Sequence, residues 1–231
     1  VSAHDLEQAL CALRDARAAL AERKSPTFDA RLASLRQWQS QRIAAWHRPI
    51  AQRHDGDALL RFLTRTFYLE ADWSELTEQP DKVAGRIGRI INDDRPLVIA
   101  VRLQHAADEL DADLADALIA RSGEGPITSA AYVRAFQAVG RIDVREQQIA
   151  WLGELVDLLG GYAENRAAYW AFKLAGSPAK AFGMGRTYAL LADGFAAMRE
   201  TRDLEAATRE AVAAQHRLLD RLVGRPVRAR P

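Results

Sequence analysis

Apolar side chains recur every three to four positions along nearly all of the 231 residues, a periodicity that commits the chain to packed helices. Leu6, Leu10, Leu13 and Leu20 open the pattern, with Arg14, Arg17 and Glu22 between them, and this first helix stops before Ser25-Pro26. Thr27 or Asp29 is expected to cap a second helix carrying Leu32, Leu35, Trp38, Ile43 and Trp46. Pro49 should kink or end it, because proline lacks the N–H that the turn before it requires. His54-Asp55-Gly56-Asp57 reads as a turn and cap. Leu59, Phe62, Leu63 and Phe67 then share one side of the next helix, and Val83, Ile87, Ile90 and Ile91 face inward from the one after it, which closes at Asn92.

Residues 96–121 form the longest periodic stretch. Its opening run, Leu97-Val98-Ile99-Ala100-Val101, has the composition of a short buried strand, but no partner strand occurs elsewhere. Leu103, Leu110, Leu114, Leu118 and Ile119 continue at helical spacing, so the whole stretch reads as helix. Ser122-Gly123-Glu124-Gly125-Pro126 is the clearest break, and its shortness favours a tight connection within one domain. Helices are expected over residues 128–139, 144–162, 165–175, 179–200 and 203–223, the last capped by Asp203. The expectation is an all-α fold: a single bundle of about eight to ten helices, mostly antiparallel, over residues 1–223. Residues 122–126 are a candidate internal break, and residues 224–231 read as a basic flexible tail.

Hydrophobic residues make up 48% and charged residues 27% of the chain, too apolar for disorder and adequate for a core without metal or disulfides. A net charge of +1 argues against extensive nucleic-acid binding. Cys11 has no second cysteine to pair with and reads as a small buried residue. No segment resembles a signal peptide and no uncharged apolar stretch reaches membrane-spanning length, so no transmembrane segment is expected and the cytoplasm is the expected compartment.

Phe62, Phe67, Tyr68 and Trp73 crowd into twelve residues. They form either the centre of the core, with Tyr68 hydrogen-bonded at its rim, or the wall of an apolar pocket. This block resembles that of an uncharacterised proteobacterial all-α family named for a Phe-Phe-Leu-Glu-Glu-Leu-Tyr motif. The residues that carry the resemblance are Arg61-Phe62-Leu63-Thr64-Arg65-Thr66-Phe67-Tyr68 followed by Asp72-Trp73. Trp38-Gln39-Ser40-Gln41-Arg42 lies upstream, with Pro178-Ala179-Lys180-Ala181-Phe182-Gly183 and Gly194-Phe195 downstream. Arg61 stands in place of the motif's first Phe, and Thr64 and Arg65 in place of its acidic pair. The resemblance implies a cytoplasmic helical protein and no particular activity.

Asp108, Glu109, Asp111, Asp113 and Asp116 follow His105 closely. His105 with Asp108 or Glu109 has metal-ligand spacing, but the Glu-x-x-His element of di-iron bundles is absent from the sequence. These acids are expected to form a solvated face opposite Leu110, Leu114 and Leu118, with no metal and no cofactor. His4, His47, His54 and His216 carry no motif, and no nucleophile elbow occurs. Gly183-Met184-Gly185-Arg186 suggests a phosphate loop only weakly, since no strand precedes it.

The last third interleaves Arg166, Lys173, Lys180, Arg186, Arg199 and Arg202 with Tyr162, Tyr169, Trp170, Phe172, Phe182 and Tyr188. Such cations beside aromatics suit a protein partner or an anionic ligand. The first functional expectation is therefore a non-catalytic cytoplasmic binding or adaptor protein using Arg166, Lys173, Lys180, Arg186 and Arg202. The second is an all-α ligand-binding protein or enzyme. Its apolar pocket would take a lipid-like or isoprenoid-like molecule between Phe62, Phe67, Tyr68, Trp73, Trp151 and Trp170. A homo-oligomer is compatible with either.

Overall fold

A computed structural model describes residues 3–89, 93–123 and 125–225. Ile90, Ile91, Asn92, Glu124 and residues 226–231, about which the sequence carries expectations, lie outside the described residues. Among the described residues every regular element is helical and no strand occurs. The order is α1 (Ala3–Glu22), α2 (Pro26–Arg53), α3 (Asp57–Arg61), a π-helix (Phe62–Glu70), α4 (Ser74–Thr77), α5 (Pro80–Ile87) and α6 (Arg95–Ser122). There follow α7 (Ser129–Val139), α8 (Ile142–Glu164), α9 (Arg166–Leu174), α10 (Gly176–Ala181), α11 (Gly185–Glu200) and α12 (Leu204–Val223).

Helix α6 is the centre of the fold, packed against α1, α2, α7 and α8. That surround explains why Leu97, Val98, Ile99, Ala100 and Val101 are all buried despite pointing in every direction around one helix. Around the first half of α6 gather Leu6, Leu10 and Leu13 of α1 with Trp73, Leu76, Val83 and Ile87. Its second half packs Leu114 and Leu118 against Phe28, Leu32 and Leu35 of α2, Phe136 of α7 and Leu219 of α12. A third cluster joins Leu59, Val156, Phe195 and Met198.

Several local expectations are corrected. The cap of α2 is Ser25, whose hydroxyl accepts from the Phe28 N–H at 3.2 Å, with Pro26 in the first turn where its missing N–H costs nothing. The helix also continues through Pro49 to Arg53. Helix α8 runs through Gly160-Gly161, and the missing side chain at Gly160 admits Leu204, whose Cδ2 lies 2.6 Å from the Cβ position. Residues 179–200 are not one helix: Gly183, at φ +75°, separates α10 from α11. Asp203 does cap α12, accepting from the Ala206 N–H at 3.1 Å.

The aromatic block departs most from the regular pattern. Phe62–Glu70 is a π-helix, in which each N–H reaches one residue further back than in an α-helix. Five-residue spacing therefore brings Phe62 and Phe67 together, their ring centroids 6.3 Å apart. Ser40 on α2 supports the wider turn by donating to the Thr64 carbonyl at 2.8 Å, while the Thr64 hydroxyl donates to the Leu60 carbonyl at 2.7 Å.

Candidate functional site

Leu97, Val101, Gln104, Asp108, Asp111, Ala115 and Leu118 follow one another at intervals of four and three along α6, and every one is buried. Three polar residues thus occupy core positions of an otherwise apolar stripe. This corrects the expected solvated acidic face at two of its five positions, since Asp108 and Asp111 are only 4% and 5% exposed, while Glu109, Asp113 and Asp116 keep solvent contact. Buried carboxylates require partners, and arginines supply them. Arg36 donates through Nη2 to Asp108 at 2.8 Å and through Nε to Asp111 at 3.1 Å. Arg17 adds a bond to Asp108 at 2.9 Å, and Gln104 another at 2.8 Å.

The network extends into the π-helix. The Tyr68 hydroxyl donates to Asp111 at 2.9 Å and accepts from the Gln39 amide at 2.8 Å, while that amide also donates to Asp111 at 2.7 Å. The Tyr132 hydroxyl completes it by donating to the Gln39 carbonyl oxygen at 2.9 Å. Burial pushes both phenols up, Tyr132 to about 12, so both act as neutral hydroxyl donors. Burial also raises the Asp111 carboxyl, against the pull of Arg36, Gln39 and Tyr68, whereas the two carboxylates hold the Arg36 guanidinium charged in spite of its own desolvation. Glu109 and Asp113 are engaged by Arg141, and Asp113 and Asp116 by Arg23. All five acids thus face arginine, and among the described residues no group of three His, Cys, Asp or Glu side chains is placed to hold a metal ion.

Two cavities lie outside this network, the first of them bordering the π-helix. One, of about 200 Å³, lies between α2, α8 and α12 and is lined by Ile43, His47, Leu63, Phe67, Val156 and Val212. His47 is buried there, its Nδ1 2.9 Å from the Ile43 carbonyl, with no hydrogen bond completed at Nε2. Desolvation holds its imidazole below the ordinary value, outweighing the backbone carbonyls of Ile43 and Ala211. A larger cleft of about 370 Å³ opens beneath α9, between α6, α8 and α11, lined by Leu97, Leu159, Phe172, Met184, Leu191 and Phe195. The Tyr162 hydroxyl donates to Asp93 at 2.5 Å on its polar edge. Ala168, Ala171, Phe172 and Ala175 turn from α9 toward this cleft at spacings of three, one and three, which defines one helix face.

The expected aromatic residues divide between core, pocket and surface. Trp73 is 2% exposed and meets Phe67 edge-on at 5.9 Å. Phe62 and Phe67 border a small void with Trp73, and Trp151 packs on the first core cluster. Tyr68 turns its hydroxyl into the buried network rather than to a rim. Trp170 is neither core nor pocket: it is 59% exposed on the outer side of α9.

The expected basic residues do not converge. Arg186 is held by Asp72 and Glu75 beside α4, and Arg202 pairs with Asp55 at 3.0 Å in the turn before α3. Arg166, Lys173 and Lys180 remain together on α9 and α10, with Lys173 and Arg199 against the Tyr169 ring at 5.5 and 4.2 Å.

Missed in the sequence were Arg17, Arg36, Gln39 and Tyr132 as partners of the α6 acids. The one signal in the sequence was the stripe itself: Gln104, Asp108 and Asp111 fall in register with Leu97, Val101 and Leu118, although that register does not name the groups that pair with them.

No curated protein and no solved structure matches the chain. Residues 19–227 match the family described as Domain of unknown function (DUF8198), a span that takes in the central stripe, the π-helix and the cleft, and the chain belongs to that family.

Proposed function

We propose that the chain is a non-catalytic binding protein that holds a small apolar or amphipathic molecule in the cleft beneath α9. The cleft itself carries this reading: its volume of about 370 Å³ falls within the ~300–1,000 Å³ usual for small-molecule sites, and its lining is predominantly aliphatic and aromatic. One polar edge, at Asp93 and Tyr162, would orient the ligand's polar end. The residues of the buried network are committed to one another, so the reading rests on the cleft and not on them. Expectations of a protein adaptor using Arg186 and Arg202 gain no support from two side chains already paired on separate faces.

The reading takes the protein as a cytoplasmic bacterial one, with its long helices antiparallel in one bundle. It also takes the Arg61–Tyr68 block as a variant of the Phe-Phe-Leu-Glu-Glu-Leu-Tyr motif. Thr64 then serves the π-helix, and Arg65 pairs with Glu70 at 2.7 Å.

Native mass spectrometry of protein purified from its host should show an apolar adduct. Ala168→Trp, which fills the cleft, should remove that adduct without changing the helical circular-dichroism signal. A clean apo mass, together with no binding of an apolar fluorescent dye, would end this reading.

A further inference from the structure

Helix α9 carries apolar side chains on two opposite faces, the outer of which also bears cations. Ala168, Ala171, Phe172 and Ala175 border the cleft, and about half a turn away stand Arg166, Trp170, Lys173 and Leu174. Trp170 is 59% exposed and Leu174 75%, and Phe182, just after α10, is 40% exposed. Among the described residues only Trp46 is another large hydrophobic side chain so exposed, and Arg221 lies 5.2 Å from its ring. The charge of this segment is equally one-sided. From Arg166 to Ala192 the sequence contains four cations and no acid, and among the described residues only Arg186 of the four is drawn into ion pairs.

We propose that the α9–α10 segment docks on the surface of an anionic lipid bilayer. Trp170, Leu174 and Phe182 would enter the headgroup boundary, while Arg166, Lys173 and Lys180 meet lipid phosphates. A short helix with Trp, Leu and Phe among Lys and Arg suits the plane of a membrane interface. Protein interfaces are depleted in lysine at their cores, whereas lysine stems extend readily along an apolar boundary and leave their ammonium groups in water. Docking would be peripheral, since among the described residues no helix is long and apolar enough to cross a membrane. The proposal does not depend on what the cleft holds, although α9 would then separate the cleft from the lipid.

The test is co-sedimentation of the intact chain with phosphatidylcholine vesicles containing phosphatidylglycerol, compared with pure phosphatidylcholine vesicles. Preferential sedimentation with the anionic vesicles is expected. Each lysine strengthens such binding about fivefold, so Lys173→Ala with Lys180→Ala should weaken it about 25-fold at low salt. Trp170→Ser with Leu174→Ser should also release the protein, and being surface changes they should leave its circular dichroism and melting intact. Equal sedimentation with both vesicle types overturns the proposal, as does anionic binding that Trp170→Ser with Leu174→Ser leaves unchanged. Absence of vesicle binding, with a concentration-dependent dimer or a protein complex that the same serine pair disrupts, reassigns the face to a protein and equally overturns it.

Discussion

The Tyr68 hydroxyl donates to the Asp111 carboxylate at 2.9 Å, tying the π-helix to the centre of α6. Tyr68→Phe keeps the ring but removes a donor from a buried carboxylate and an acceptor from the Gln39 amide. Hydrogen bonds to charged groups contribute roughly 1.5–3 kcal/mol, so a loss of about that size is expected from urea denaturation. An unchanged denaturation midpoint would show that the hydroxyl has no part in stability.

Arg36 balances two carboxylates at once. Arg36→Ala leaves Asp111 buried with only neutral donors, and Asp108 with Arg17 and Gln104. Breaking a buried pair from one side costs about 3–5 kcal/mol. Arg209→Ala, which removes a solvent-exposed pair with Glu205, should cost about 1 kcal/mol or less and serves as the comparison. Similar losses for the two variants would contradict a special role for the interior network.

His47 predicts a pH dependence. Burial lowers its folded-state pKa below the unfolded value of about 6.5. The stability it contributes is therefore fully present above pH of about 6.5 and is lost as the pH falls from there toward the folded value. His47→Gln should flatten this part of the curve of unfolding free energy against pH. Parallel curves for the two proteins would assign the acid sensitivity to other groups.

Two glycines permit close approaches that no other residue allows. A Cβ on Gly194 would lie 2.8 Å from Phe62 Cζ, and one on Gly176 would lie 2.9 Å from Tyr188 Cζ. Gly194→Ala should cost about 1–3 kcal/mol as Phe62 of the π-helix is forced out of its seat against α11. Gly176→Ala should displace Tyr188 and alter dye binding in the adjoining cleft. Thermal melting and dye titration separate the two effects, and wild-type behaviour in both assays would refute the steric reading.

The sequence shows why α1 and α6 are helices and which of their leucines face inward. Leu6, Leu10 and Leu13, and likewise Leu110, Leu114 and Leu118, are buried as their spacing predicts, because side chains three and four apart share one face. Asp203 as a cap was legible for an equally local reason: an extra oxygen before an apolar run satisfies an unpaired backbone N–H. The π-helix was not legible, because its Phe-Leu-Thr-Arg stretch fits either pitch, and Ser40, more than twenty residues away, supports the wider one.

Charged residues divide along the same line. Local periodicity is a property of a single segment, so it determined an all-helical chain by itself. The fate of Asp108 and Asp111 depended on Arg17 and Arg36 arriving from α1 and α2, and that of Trp170 on which side of α9 met the cleft. Only tertiary packing decides such matters, since burial and pairing arise between segments whose separation along the chain carries no information about their distance in space.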